Sequence, residues 1–537
     1  MELMTLRKFE TLSPFEIKDE LIKLARKTSK TTQSAFLNAG RGNPNWIATA
    51  PREGFFLLGQ FALTESRRVM EHPAGLAGMP QAQGIAGRLA AWLAKHADTP
   101  GASFLAAMVP FAVTKFGFEP DAFVHELVDS IIGDNYPVPD RMLVHNERIV
   151  HEYLMWAMCG TPRPAGTFDL YAVEGGTAAM CYIFKSLKAN RLLHPGDTIA
   201  LGTPIFTPYI EMTHLEDYAL NVVQIRAPQE NRFQFTDSEL KKLEDPRVKA
   251  FFLVNPGNPT GMALSKETMG KLANLVKTSR PDLMLLTDDV YGTFVPGFRS
   301  LMGEIPHNTI GVYSYSKYFG CTGWRLGVIA IHQDNIFDTM IAKLPEAQVK
   351  ALDKRYGALT LEPRKIRFID RIVADSRDVA LNHTAGLSLP QQVMMSLFSL
   401  AELMDADKQY QKACMEIVQR RAKAMVEGLG IEVNPNPNFD GYYGLIDFEF
   451  WARKNIGEDA VAYLKKNVHP LDLAFRLAED HGIVLLNGGG FDAPDWSLRV
   501  SLANLGDDVY DDIGRGVRSV ARGYRDAFDA SKRAPKT

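Results

Sequence analysis

Residues 314–327 read Ser-Tyr-Ser-Lys-Tyr-Phe-Gly-Cys-Thr-Gly-Trp-Arg-Leu-Gly. They follow an apolar, β-branched run, so Lys317 lies just past the end of a candidate strand, with Arg325 eight residues later. A lysine fixed at such a position is suited to form a Schiff base with a carbonyl group. The hydroxyls of Ser314 and Ser316 and the guanidinium of Arg325 are suited to bind a phosphate. This stretch therefore predicts a ligand site at a strand end.

The stretch belongs to a longer alternation of apolar strands and helical patterns, from about Asp169 to Ile331, which is typical of a parallel sheet covered by helices. Most candidate strands end in a loop rich in Gly, Pro, Asn or Asp, and ligands of such sheets collect at the carboxyl ends of the strands. We therefore predict an α/β fold. The candidate strands are Leu170–Val173, Thr198–Leu201, Val222–Ile225, Ala250–Val254, Met284–Thr287, Thr309–Tyr313 and Gly327–Ile331.

The regions that flank this alternation mix helical patterns with short strand candidates, which indicates a second, smaller lobe. We predict three parts along the chain. They are an N-terminal arm with a small-lobe segment and a helical insertion (residues 1–150), a large α/β domain with an insertion near 334–375 (residues 151–380), and a C-terminal small domain (residues 381–537).

The net charge and the cysteine count argue against several classes of protein, among them nucleic-acid-binding and disulfide-rich proteins. The chain has 537 residues, a formal net charge of -3 and four scattered cysteines. Such a charge gives no long-range attraction to nucleic acid or anionic membranes, and the cysteines suggest neither a disulfide framework nor a metal site. The N-terminal stretch lacks the apolar region of a signal peptide, and no segment reaches the roughly 18 apolar residues of a membrane span. We expect a cytoplasmic protein that binds small molecules.

Three further motifs follow other candidate strands. Gly175-Gly176-Thr177 opens an apolar helix, whose backbone amides and dipole favour an anion. Residues 255–261, Asn-Pro-Gly-Asn-Pro-Thr-Gly, form a rigid turn, and residues 288–291 read Asp-Asp-Val-Tyr. Each motif alone is compatible with an ordinary turn, helix cap or strand-end carboxylate. Four ordered motifs at strand ends predict a single site.

These motifs resemble those of the fold-type I pyridoxal-phosphate enzymes, the aspartate aminotransferase superfamily, from about Asn38 to Ser501. The resemblance implies a mostly parallel seven-stranded sheet between helices, a smaller α+β domain, and pyridoxal 5'-phosphate carried as a Schiff base on Lys317. It also implies a role for each matching residue. Asp288 would keep the pyridine nitrogen protonated, and Asn258 and Tyr291 would bind the phenolic oxygen. Phe206 would stack on the ring, with Tyr209 packed nearby. The phosphate would be held by Gly175, Gly176, Thr177, Ser314, Ser316 and Arg325.

The superfamily resemblance further implies a homodimer with its site at the subunit boundary, where a tyrosine of the partner chain contacts the phosphate. Tyr136, in residues 133–137, is the candidate, and the alternative is a buried loop tyrosine. Members of the resembled family also form larger homo-oligomers, and the two insertions are candidates for such contacts.

Substrate recognition is expected from arginines. Arg499 lies inside an apolar strand, where an unpaired charge is costly. A substrate carboxylate that binds the guanidinium in a bidentate manner explains its burial. A structural ion pair is the alternative. Gly40 and Arg41, in residues 38–45, resemble the loop that closes over substrate, with Arg41 departing from the usual pattern. Arg377 precedes residues 383–391, which resemble a cross-subunit phosphate loop, and is a candidate for the distal carboxylate, with solvent exposure as the alternative.

The large size and the two insertions resemble the aspartate 4-decarboxylase branch of the superfamily. That resemblance implies conversion of L-aspartate to L-alanine and CO2, with side transaminase activity and reactivation by a 2-oxo acid such as pyruvate. A plain aspartate or aromatic aminotransferase is the alternative. A pyridoxal-phosphate-binding transcription regulator needs a basic N-terminal region, and residues 1–150 carry equal numbers of basic and acidic side chains.

Overall fold

The computed structural model describes residues 6–32, 35–377, 386–432 and 435–533. All seven predicted strands are present in one sheet, each extended by at most two residues at either end. Their order is β1-β7-β6-β5-β4-β2-β3. The pairs among β2 to β6 are parallel, whereas β7 runs antiparallel to both of its neighbours. The strands are β1 Phe168–Val173, β2 Thr198–Thr203, β3 Asn221–Arg226, β4 Val248–Val254, β5 Met284–Asp288, β6 Thr309–Ser314 and β7 Gly327–His332.

The central strands are buried on both faces, because helices cover the sheet above and below. All residues of β1, β5, β6 and β7 are buried, which explains why these strands are continuous apolar runs and do not alternate. Of the two edge strands of this sheet, β1 is buried and β3 is largely accessible. The helices between the strands are Gly176–Ala189, Thr207–His214, Asp237–Leu240, Lys266–Thr278 and Leu301–Glu304.

A second apolar cluster joins the two ends of the described chain. It surrounds a three-stranded antiparallel sheet of order β8-β10-β9, made of Tyr443–Asp447, Leu486–Asn487 and Ser497–Ser501 in chain order. Residues Leu37–Asn38 pair with Ile483–Val484 beside it. The helices of this region are Pro14–Thr32, Gln409–Gly428, Phe448–Asn455, Glu458–Asn467, Asp472–His481 and Tyr510–Arg533.

The two predicted insertions are helical and pack on the large core. The first contributes Leu58, Phe61 and Leu127 to the same apolar cluster as the large sheet, and the second contributes Phe337 and Phe368. The division of the chain into three parts stays a prediction. The helices of the insertions are Ala50–Val69, Ile85–Lys95, Ala102–Phe116 and Pro120–Ile132, then Ile336–Ala342, Glu346–Tyr356 and Phe368–Ser376. Two further helices, Val144–Leu154 and Leu389–Met404, lie outside the insertions and pack on the same core.

Within the described ranges, no helix is both long enough and apolar enough to cross a lipid bilayer.

Candidate active site

A cavity of about 340 Å³ lies at the carboxyl ends of the large sheet's strands. Its walls come from the loops after these strands, from the N-terminal loop and from the small sheet. The four sequence motifs meet here, as predicted for ligand sites of α/β sheets. The lining residues are Phe15, Gly42, Asn43, Gly176, Thr177, Phe206, Tyr209, Val254, Asn258, Asp288, Val290, Tyr291, Ser314, Ser316, Lys317, Thr322, Arg325, Tyr443 and Arg499.

Lys317 reaches into this cavity from the turn after β6. Its Nζ atom donates a hydrogen bond to the carbonyl oxygen of Gly42 at 2.9 Å. The turn that presents the lysine requires glycine at position 320, which has a φ of 59°. A Cβ atom there would lie 1.9 Å from the carbonyl oxygen of Trp46. The N-terminal loop is therefore in direct contact with the turn that carries Lys317.

Asp288 lies at the end of β5 and is 6% exposed. Its Oδ2 atom accepts a hydrogen bond from the hydroxyl of Tyr209 at 2.6 Å, and Oδ1 accepts one from the backbone N–H of Val290 at 3.2 Å. Burial raises the pKa of Asp288, while the Tyr209 and Val290 bonds and the positive charge of Lys317 act in the opposite direction. Tyr209, expected only to pack nearby, thus has a polar role that the sequence did not reveal.

The opposite end of the cavity is a cradle for an anion. Gly175 adopts a φ of 94° at the N-terminus of helix Gly176–Ala189. A Cβ atom at Gly175 would lie 2.6 Å from Nη2 of Arg325, so a side chain there would displace the guanidinium. Ser314 Oγ lies 2.9 Å from Ser316 Oγ, which brings both hydroxyls to the same wall. Helix amides, hydroxyls and a guanidinium together match a phosphate.

Arg499 is 1% exposed and comes from the central strand of the small sheet. It donates to Oδ1 of Asn258 at 3.2 Å and to the carbonyl oxygen of Gly40 at 2.9 Å. Its Nε atom is buried and has no acceptor among the described residues. Leaving a buried guanidinium N–H without an acceptor is costly, which argues for an anionic ligand and against a structural ion pair.

Aromatic side chains close the cavity, and several of them were not found from sequence. The rings of Tyr442 and Tyr443 lie 5.2 and 5.4 Å from that of Tyr291. Phe206 meets Tyr209 edge-on at 5.3 Å and Phe15 at 5.8 Å. Neither Phe15 nor the tyrosine pair at 442–443 belongs to a motif, and only the Gly-Tyr-Tyr-Gly pattern before a strand could have drawn attention to that pair.

Three other candidates do not line the cavity. Arg41 is exposed in the N-terminal loop. Tyr136 is 74% exposed and lines a separate depression with residues 386–390, so the alternative of a buried tyrosine is wrong for this chain. Arg377 is 7% exposed and pairs with Asp140 at 2.5 Å, which excludes the alternative of solvent exposure. Of the loop predicted at 383–391, residues 383–385 lie outside the described residues.

The sequence matches the family described as aminotransferase class I and II over residues 175–513. The chain belongs to that family. It is also 48% identical, over 96% of its own length and 97% of the relative's, to a protein of Pseudomonas sp. named bifunctional aspartate aminotransferase and L-aspartate beta-decarboxylase.

Solved structures of similar fold include two aspartate aminotransferases. The enzyme of Rhizobium meliloti has a TM-score of 0.57 at 15% identity, covering 96% of this chain and 97% of the other. A double mutant of the Thermus thermophilus enzyme has a TM-score of 0.53 at 18% identity, covering 94% and 96%. At such identities the likeness concerns the fold alone, and it confirms the predicted fold-type I architecture.

Proposed function

We propose that this protein is a pyridoxal-phosphate-dependent aspartate 4-decarboxylase, which converts L-aspartate to L-alanine and CO2 and has secondary aspartate transaminase activity. One observation carries the proposal: the amine of Lys317, the carboxylate of Asp288 and the unsatisfied guanidinium nitrogen of Arg499 line one cavity. The Pseudomonas relative's name supports aspartate as the substrate and decarboxylation as the reaction.

The residues of the cavity fit the cofactor. The cradle at Gly175 and Arg325 suits its phosphate, and Lys317 is the amine that would hold its carbonyl carbon. Asp288, buried and held by Tyr209, suits a protonated ring nitrogen. Because Oδ1 of Asn258 accepts from Arg499, the amide nitrogen of Asn258 is left to donate to the phenolic oxygen, beside Tyr291. When bound, pyridoxal phosphate supplies a ring that withdraws electrons from the substrate.

The substrate's α-carboxylate would bind Arg499, because its Nε atom and one terminal nitrogen can donate in parallel to two carboxylate oxygens. This contact would fix the Cα–H bond near Lys317, whose amine removes the Cα proton and later returns it. Arg41 at the mouth and Arg377 beside Asp140 are the proposed contributors to the distal carboxylate. Both act at the subunit boundary of a homodimer, where Tyr136 of one chain reaches the phosphate bound by the other.

The proposal is tested by incubating the purified protein with pyridoxal phosphate and L-aspartate and measuring alanine, CO2 and oxaloacetate. We expect alanine and CO2 in equal amounts, with a small fraction of oxaloacetate. Because forming oxaloacetate would retain the amino group of aspartate in the site, activity on aspartate alone should decay, and catalytic amounts of pyruvate, which accepts that group, should restore many turnovers. Consumption of one pyruvate per aspartate without CO2 would instead establish a plain aminotransferase.

A further inference from the structure

Tyr443 is a buried residue at the start of β8, and its hydroxyl lies against Gly42. A Cβ atom built on Gly42 would lie 2.8 Å from the hydroxyl oxygen of Tyr443 and 3.3 Å from Nζ of Lys317. Since both atoms lie next to that one point, the phenol and the amine are within about 6 Å of each other. Tyr443 also lines the cavity, so its hydroxyl has access to a bound ligand.

Tyr443 contacts both a second tyrosine and the arginine of the small sheet. The hydroxyls of Tyr443 and Tyr291 share a hydrogen bond. The guanidinium carbon of Arg499 lies 4.3 Å from the centre of the Tyr443 ring. The neighbouring Tyr442 differs, because its hydroxyl donates to the carbonyl oxygen of Gly42 at 2.9 Å.

The charges around Tyr443 make it an unusually strong acid for a buried phenol. Burial opposes ionisation, but the positive charges of Lys317 and Arg499 and the hydrogen bond with Tyr291 outweigh it and lower the pKa of Tyr443. Asp440 faces the same tyrosine and acts in the opposite direction. Burial and neighbouring tyrosines raise the pKa of Tyr291 and of Tyr442 well above the usual value, so Tyr443 has the lowest pKa of these three hydroxyls.

We propose that Tyr443 is the acid that places a proton on the β-carbon of aspartate when the carboxylate departs, a role that rests on the decarboxylase function proposed above. The bond between the β-carbon and the carboxylate breaks, CO2 leaves, and the bonding electron pair stays on the substrate. That pair takes the phenolic proton of Tyr443. The phenolate regains a proton from solvent, which is the single proton that the overall conversion consumes. Lys317 remains the carrier of the Cα proton.

Removing the hydroxyl of Tyr443 tests whether this residue and Lys317 transfer different protons. Tyr443→Phe should lower alanine formation about a hundredfold, the scale expected for loss of a general acid. Oxaloacetate formation requires Lys317 but no proton on the β-carbon, and an added 2-oxo acid other than pyruvate, such as 2-oxoglutarate, sustains it by accepting the amino group. It should change much less, so that the ratio of oxaloacetate to alanine rises. In the matched control Tyr442→Phe, both products should change together and keep their ratio. An unchanged product ratio in Tyr443→Phe would overturn the proposal.

Titration of the tyrosine hydroxyls tests the same proposal without requiring catalytic turnover. In the cofactor-free full-length protein, the ultraviolet absorbance of tyrosinate should reveal one tyrosine that ionises below the ordinary value of about 10. This titration should be lost in Tyr443→Phe, persist in Tyr442→Phe and shift upward in Lys317→Ala. Its persistence in Tyr443→Phe overturns the assignment. If Tyr443→Phe does not fold, an unshifted midpoint in Lys317→Ala overturns it instead.

The two proposals fail in different ways. A wild-type protein that forms oxaloacetate but releases no CO2 refutes the decarboxylase function. A wild-type protein that forms alanine, with an unchanged product ratio in Tyr443→Phe, refutes only the role of Tyr443.

Discussion

The cavity around Lys317 and the depression around Tyr136 differ in how their polar groups are held. In the cavity, Asp288 is 6% exposed and Arg499 1% exposed, and both have defined hydrogen-bond partners. In the depression, of about 230 Å³, Tyr136 is 74% exposed. The cavity is therefore preorganised by contacts within one chain, whereas Tyr136 presents the accessible surface that a second chain in the proposed homodimer requires.

The largest expected effect comes from removing the amine at the centre of the cavity. With bound pyridoxal phosphate the protein should be yellow, and borohydride should trap its covalent link to the cofactor. Lys317→Ala should lose both properties and lower turnover at least about ten-thousandfold, because one group is both covalent partner and proton carrier. Absorbance spectra and steady-state rates measure this. Lys343→Ala, at an exposed position, is the control. Near-normal turnover in Lys317→Ala would refute the site.

A second substitution separates two adjacent buried carboxylates. Asp288→Asn should lower kcat about a hundredfold or more, since a neutral amide cannot keep the ring nitrogen charged. The control is Asp289→Asn. Asp289 is held by Thr287 and Ser300, and burial raises its pKa to about 7. We expect that variant to change the thermal unfolding midpoint and leave kcat within a few-fold. Equal losses of kcat in both variants would contradict the role of Asp288.

The arginine of the small sheet should have an intermediate effect. Arg499→Lys keeps the charge but loses the planar pair of donors, so KM should rise and kcat fall, with kcat/KM lower by about a hundredfold. Arg421→Lys is the matched control. Arg421 is also buried, at 5% exposed, but its Nε atom pairs with Asp507. Unchanged kinetics in Arg499→Lys would remove this residue from the substrate site.

The smallest effect is expected in the exposed depression. Tyr136→Phe should weaken cofactor retention about tenfold, the loss expected for one hydrogen bond to a charged phosphate. Mixing this variant with Lys317→Ala under conditions that exchange subunits should restore some turnover, because one of the two sites in a hybrid dimer then has both groups. Hybrid dimers that form but recover no activity would show that Tyr136 does not act across the subunit boundary.

Most of the large sheet could be predicted from local sequence, but the side chains that enclose the cavity at its edge could not. Strands β1 to β7 were predictable because buried strands are short apolar runs bounded by turn residues, and the motif residues follow directly from those strand ends. The contacts of Tyr209 and Tyr443 were not predictable, because they depend on segments far apart in sequence. The antiparallel direction of β7 was equally hidden, since an apolar run carries no information about its direction in the sheet.

The bond from Arg499 to the carbonyl oxygen of Gly40 joins positions 459 residues apart. Asp288 and Lys317 come from the middle of the chain, whereas the wall of the cavity that contains Arg499 requires the N-terminal loop and the last strand of the small sheet to meet. The complete cavity therefore cannot form until residues from both ends of the described chain are in place.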